Sequence, residues 1–270
     1  MSTSGGFQLT NGDVEFLRFA HEFRLLTIDS FAALAGRSYK NTHKRIQKLA
    51  ERHYFLPITR RPHKHAYGIG HAGIQVLVHL GHAPAHLLKS RIRISELKEF
   101  FIQHELLISA IHVRLALFAR TGPIKLVRWA EGPAIRDKTI ATSENGKRHV
   151  VWPDAFFVLR HTGLPSERNE FPFALEADRA TMAHDRMRSK IAAYQAWREE
   201  NGHARKHSVE NFRVLTVTET RARAVALSQS IAPILRTRPA QRSILFVPFE
   251  DLDFESLVPA SASAALVRAA

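Results

Sequence analysis

The chain has 270 residues, 45% of them hydrophobic, enough apolar side chain to fill the core of one large or two ordinary domains. Its 39 Lys and Arg against 25 Asp and Glu give a formal charge of +14, which favours a polyanion as partner. With no cysteine, disulfides and thiolate metal sites are excluded. No apolar run approaches the roughly 18 residues that a spanning helix requires, and the start Met1-Ser2-Thr3-Ser4-Gly5-Gly6 lacks signal-peptide character. A cytoplasmic location without membrane contact is therefore expected.

Between Asp13 and Leu80 the pattern predicts three helices and a hairpin. Phe16, Leu17, Phe19 and Ala20 carry helical spacing; after Thr27, suited to an N-cap, Ile28, Phe31 and Leu34 repeat it until Gly36. Ser38 then caps a third helix. Tyr39, Ile46 and Leu49 are expected to point inward, with Lys40, Lys44 and Lys48 four apart on the outer face and Arg37, Asn41, Arg45 and Arg52 flanking. Residues 54–59 and 66–69 read as strands joined by the basic tip Arg60-Arg61-Pro62-His63-Lys64-His65. From Gly36 to Lys64 there are nine Lys or Arg and one acid, Glu51, so the positive charge is concentrated on helix and tip. This is the pattern of a winged helix-turn-helix over residues 10–82 that binds DNA through Arg37, Lys40, Asn41, Lys44, Arg45, Lys48, Arg60, Arg61 and Lys64.

Residues 80–94 read as a connection. A long helix is expected over 95–119, then strands at 124–129, 149–159, 171–177, 212–218 and 243–249, with helices over 179–200 and 220–235. The order αβββαβαβ implies an α+β class domain over 95–250, a mixed sheet flanked by helices, and a tail at 251–270. Asp154 and Glu176 fall in or beside the second and third strands. Paired carboxylates of this kind suit Mg²⁺ or Mn²⁺, which take oxygen ligands and need few from the protein. Asp178 is a third candidate ligand, or else the N-cap of the following helix. No phosphate-binding GxxxxGK[ST] loop and no nucleophile-elbow sequence is present.

Pro153-Asp154, Glu176-Ala177-Asp178, and Lys190 with Tyr194 on the next helix resemble the PD-(D/E)XK nuclease superfamily, with its restriction-endonuclease-like αβββαβ core. Trp152-Pro153-Asp154-Ala155, Leu175-Glu176-Ala177-Asp178-Arg179-Ala180-Thr181 and Lys190-x-x-x-Tyr194 after a winged helix resemble, more closely, the plasmid replication-relaxation proteins. The resemblance implies metal ligation by Asp154, Glu176 and Asp178, and catalytic roles for Glu105, Asp154, Glu176 and Lys190. Where the superfamily carries Glu-x-Lys this chain has Asp178, so the basic group falls to Lys190, provided that its helix crosses back over the sheet. His104 is an alternative to Glu105.

Two functional expectations follow. One is a DNA-binding protein with a Mg²⁺- or Mn²⁺-dependent endodeoxyribonuclease domain; the other is a non-catalytic plasmid replication or copy-control protein built on the same fold. DNA is the expected partner of both, with a replication protein and a second copy of the chain as further candidates.

Overall fold

The computed structural model describes residues 7–58, 66–89, 99–142, 148–180, 182–235 and 242–258. These form two compact units, residues 1–117 and 118–270.

In the first unit, helix α1 (Asn11–Phe23) starts in a capping box. The Thr10 side chain accepts from the Asp13 backbone N–H, and the Asp13 carboxylate accepts from the Thr10 backbone N–H at 2.7 Å. Thr27 caps α2 (Ile28–Ala35), and Gly36 ends it at φ 62°, a conformation that glycine adopts without cost from a Cβ. Ser38 caps α3 (Tyr39–Ala50). Strand β1 (Leu26–Thr27) joins β2 (Phe55–Ile58) and β3 (Ala66–Ile69) in an antiparallel sheet of order β1-β3-β2. The core combines Phe16, Leu17 and Phe23 of α1, Phe31 of α2, Ile46 and Leu49 of α3, and Phe55 and Tyr67 of the sheet. The expected basic tip, with Arg60, Arg61 and Lys64, lies outside the described residues.

Two helices of this unit differ from expectation. α4 (His71–His79) was not anticipated; it packs on α1 where Gly73 lies so close to its surroundings that a Cβ would come within 2.5 Å of the Tyr54 carbonyl oxygen. The long helix α5 (Glu99–Phe118) falls within the first unit up to Leu117, although the sequence had suggested it as the head of the second domain. Val113 joins the α1–α3 core, and Ser109 Oγ donates to the Phe23 carbonyl at 2.7 Å. Its window Phe101–Phe118 is long and apolar enough to cross a membrane by length and composition. That corrects the expectation that no segment would be; Ile102, Ile108, Ile111, Val113 and Leu115 of the helix are buried.

The second unit is α+β. A five-stranded mixed sheet has the order β10-β9-β8-β7-β4, from β4 (Ile124–Glu131), β7 (Ala155–His161), β8 (Glu170–Asp178), β9 (Arg213–Thr218) and β10 (Ile244–Pro248). β4, β7 and β8 are antiparallel neighbours, while β8, β9 and β10 run parallel. The single strand expected over 149–159 is two: β6 (Arg148–Val151) turns aside at Trp152-Pro153 to pair with β5 (Asp137–Thr142) as a separate ribbon. Proline has no N–H for a ladder, so the chain changes sheet there. Helices α6 (His184–Glu199) and α8 (Arg221–Ile231) pack together on the sheet through Met187, Ile191, Tyr194, Trp197, Leu227 and Ile231, against Phe156, Ala174 and Val214. The short helices α7 (Gly202–His207) and α9 (Phe254–Leu257) complete the unit.

Candidate functional site

Because side chains alternate along a strand, Ala174, Glu176 and Asp178 of β8 share one face, and Ala174 packs in the core beneath α6 and α8. Ala155 pairs with Leu175, so one step further Asp154 stands opposite Glu176. The Asp154 N–H donates to the Leu175 carbonyl at 2.9 Å, and its Oδ2 accepts from the Ala177 N–H at 2.8 Å. Both carboxylates thereby stand at one end of the inner strands β7 and β8.

From above, α6 supplies Lys190 and Tyr194, one turn apart and on the face that also carries Met187 and Ile191. The helix begins at His184, not at Arg179 as expected, with Ala183 as its N-cap; the chain turns at Ala180, which takes φ 58°. The turn sends the helix back across the sheet and leaves Lys190 only six residues along it, about 9 Å at 1.5 Å per residue. The Lys190 ammonium meets Glu176 Oε2, and the Tyr194 hydroxyl donates to Oε1 at 2.6 Å. Asp154, Glu176 and Lys190 thus come together, and Tyr194 joins them. Its spacing from Lys190 was its only signal in the sequence.

Glu176 is 2% exposed. Burial raises its pKa; the Lys190 ammonium opposes the rise and the nearby Asp154 charge adds to it, leaving the carboxyl above its ordinary range. Burial disfavours the charged form of Lys190, but the Glu176 and Asp154 carboxylates outweigh it and raise the pKa, so the ammonium persists. Burial, followed by the Glu176 charge, holds the Tyr194 hydroxyl well above its ordinary value, fixing it as a donor.

Asp178, also 2% exposed, accepts from Arg223 Nε at 2.7 Å and Nη2 at 3.2 Å and from the Ala180 N–H at 3.2 Å. It does not cap α6, contrary to one reading of the sequence. Arg223 lies 45 residues away on α8, and no local pattern signals the pairing. Glu105 belongs to the first unit, where it pairs with Arg24 at 3.1 Å.

Glu176 accepts from Lys190 at one oxygen and from Tyr194 at the other, Asp178 accepts from a guanidinium, and Asp154 Oδ2 accepts from a backbone N–H. Among the described residues no three His, Asp or Glu side chains gather as a metal-binding group. In this arrangement the Lys190 ammonium supplies positive charge beside Glu176.

The other candidate surface is α3. Thr42, Ile46 and Leu49 face inward, while Lys40, Asn41, Lys44 and Lys48 are exposed. Tyr39 is 52% exposed and lies 5.7 Å from the His43 ring, so Thr42 takes the inward place expected for Tyr39, one turn nearer the core. Arg45 turns away from the lysines. Its Nε donates to Asp13 Oδ1 at 2.6 Å and its Nη2 meets Oδ2. Burial works to raise the Asp13 pKa, but the Arg45 and Thr10 hydrogen bonds outweigh it and hold the carboxyl below its ordinary value. Arg37 is exposed and pairs with Glu15 at 3.2 Å.

Comparison with family models matches residues 17–214 to a family described as replication-relaxation, and so spans the α3 face and the Asp154–Glu176–Lys190 cluster in one alignment. The chain belongs to the replication-relaxation family. Neither the curated proteins nor the solved structures contain a match to it. Family membership agrees with the resemblance drawn from the Trp-Pro-Asp-Ala and Leu-Glu-Ala-Asp motifs.

Proposed function

We propose that this replication-relaxation family member is a DNA-binding replication or copy-control protein of plasmids. Its first unit is a winged helix that lays α3 against duplex DNA. The single observation that carries the reading is the exposed row Lys40, Lys44 and Lys48 along α3, with Asn41 beside it, in a chain of charge +14. Lysines offer phosphates a charge that carries no sequence information; Asn41 is the residue of this face suited to reading a base edge. The second unit supplies a PD-(D/E)XK-like sheet in which Lys190 occupies the cation's place beside Glu176, so the unit works as a binding scaffold without cutting.

A second reading rests on the convergence of Asp154, Glu176 and Lys190, which supports metal-dependent strand scission once the ammonium is displaced from Glu176. Incubation of the protein with supercoiled and linear DNA and Mn²⁺, beside Asp154→Ala and Glu176→Ala, separates the two. The scaffold reading expects a gel shift with intact DNA in every lane. Nicking by the wild type alone would establish the nuclease.

A further inference from the structure

The ribbon β5–β6 offers a second surface that the winged-helix reading does not use. Its inner face is committed: Thr139 is fully buried, Val151 is 2% exposed, and Asp137 Oδ2 accepts from the Trp197 indole N–H at 2.8 Å. Glu200, the C-cap of α6, grips the ribbon, its carboxylate accepting from the Ile140 N–H at 2.8 Å. By strand alternation the outer face presents Lys138 and Ile140 from β5 and Arg148 and Val150 from β6, then Trp152 just beyond. Ile140, Val150 and Trp152 are 60%, 44% and 46% exposed, an unusual expense of apolar surface on a two-stranded ribbon.

Trp152 is held in place as well as exposed. Its indole N–H donates to the Gly132 carbonyl at 3.2 Å, and the Arg136 guanidinium stands 4.9 Å from its ring centroid. Among the described residues of the ribbon, Asp137 is the single carboxylate, and its Oδ2 is turned inward to Trp197, so the charged side chains of the outer face, Lys138 and Arg148, are both cations. A positioned indole between cations is what an unpaired base and its phosphates require, since stacking needs a base face that a duplex keeps covered.

We propose that the outer face of this ribbon binds single-stranded DNA, with Trp152 stacking on a base and Arg136, Lys138 and Arg148 contacting phosphates. The proposal rests on the reading that the partner is DNA, and it specifies the unpaired form for this unit. Trp152 stands two residues before Asp154, so a strand seated here would lie beside the Glu176 cluster.

The test uses the full chain with a labelled oligothymidylate and, separately, a labelled duplex, comparing wild type with Trp152→Ala, Trp152→Phe and Lys40→Ala/Lys44→Ala/Lys48→Ala. Trp152→Ala is expected to weaken oligothymidylate binding about tenfold and to abolish the tryptophan fluorescence quenching that accompanies it, while duplex binding stays at wild-type strength. Trp152→Phe, which retains a stacking ring, should recover most of the affinity, and the triple lysine variant should lose duplex and keep oligothymidylate. Equal oligothymidylate affinity for wild type and Trp152→Ala, both folded by circular dichroism, would overturn the proposal while leaving the duplex reading intact. A change of oligomeric state in Trp152→Ala with oligothymidylate affinity unaltered would also overturn it, assigning the face to a second copy. Failure of the wild type to bind either DNA would instead remove the DNA-binding reading on which it rests.

Discussion

Lys190 and Glu176, 14 residues apart in sequence, meet as an ammonium on a helix and a carboxylate on the strand beneath it, with the Tyr194 hydroxyl on the other carboxylate oxygen. Removing one partner of such a pair strands the other. Lys190→Met is expected to destabilise the sheet unit by about 2–3 kcal/mol at neutral pH, less than for a wholly buried pair because Lys190 is 27% exposed. Losing the ammonium raises the Glu176 pKa further, so the deficit should shrink as pH falls and the carboxyl protonates. Adding Glu176→Gln should restore most of the stability. Urea unfolding of the three variants checks this; equal midpoints for Lys190→Met and wild type would mean that the pair contributes nothing.

Arg45 and the three lysines share one helix but should behave differently. Arg45→Ala leaves Asp13, 1% exposed, without its guanidinium and is expected to cost about 2–3 kcal/mol of stability in the first unit. Under conditions where the variant is fully folded, the salt dependence of its DNA binding should equal that of the wild type. A reduced salt slope would show that Arg45 contacts phosphate.

Acid should loosen both units. Burial lowers His112 to about 3 and His207 to about 4, so both stay neutral in the folded chain. In the unfolded chain imidazole protonates near pH 6.5. The unfolded state therefore binds more protons below that value. The stability contribution is complete above about pH 6.5 and is lost as pH falls toward 4 for His207, at about 1.4 kcal/mol per pH unit for each group. Thermal melts between about pH 7.5 and 4.5 should show the decline, and His207→Gln should flatten it for the sheet unit. An unchanged slope in that variant would place the titrating group elsewhere.

Caps and apolar spacing made much of the fold legible. Thr27, Gly36 and Ser38 bound α2 and α3 as their chemistry requires, and β8 and β9 follow their apolar runs within a residue or two. What escaped the sequence depends on distant partners. β6 is apolar enough to continue into β7, and only Pro153 marks the change of sheet. α5 has an apolar stripe that does not say which unit it will cover. Lys190 could be proposed from its place in a motif, whereas the commitment of Asp178 to Arg223 and of Arg45 to Asp13 is set by packing between elements 45 and 32 residues apart. A charged residue on an amphipathic helix looks the same in sequence whether it meets solvent, DNA or a buried acid.

The reading that this protein grips duplex DNA through α3 is tested most directly by measuring duplex affinity across a salt series for the wild type and for Lys40→Ala/Lys44→Ala/Lys48→Ala. Three lost phosphate contacts should lower the magnitude of the slope of log K against log salt by about 2.7, with the folded state intact. Superimposable slopes for the two proteins would contradict it.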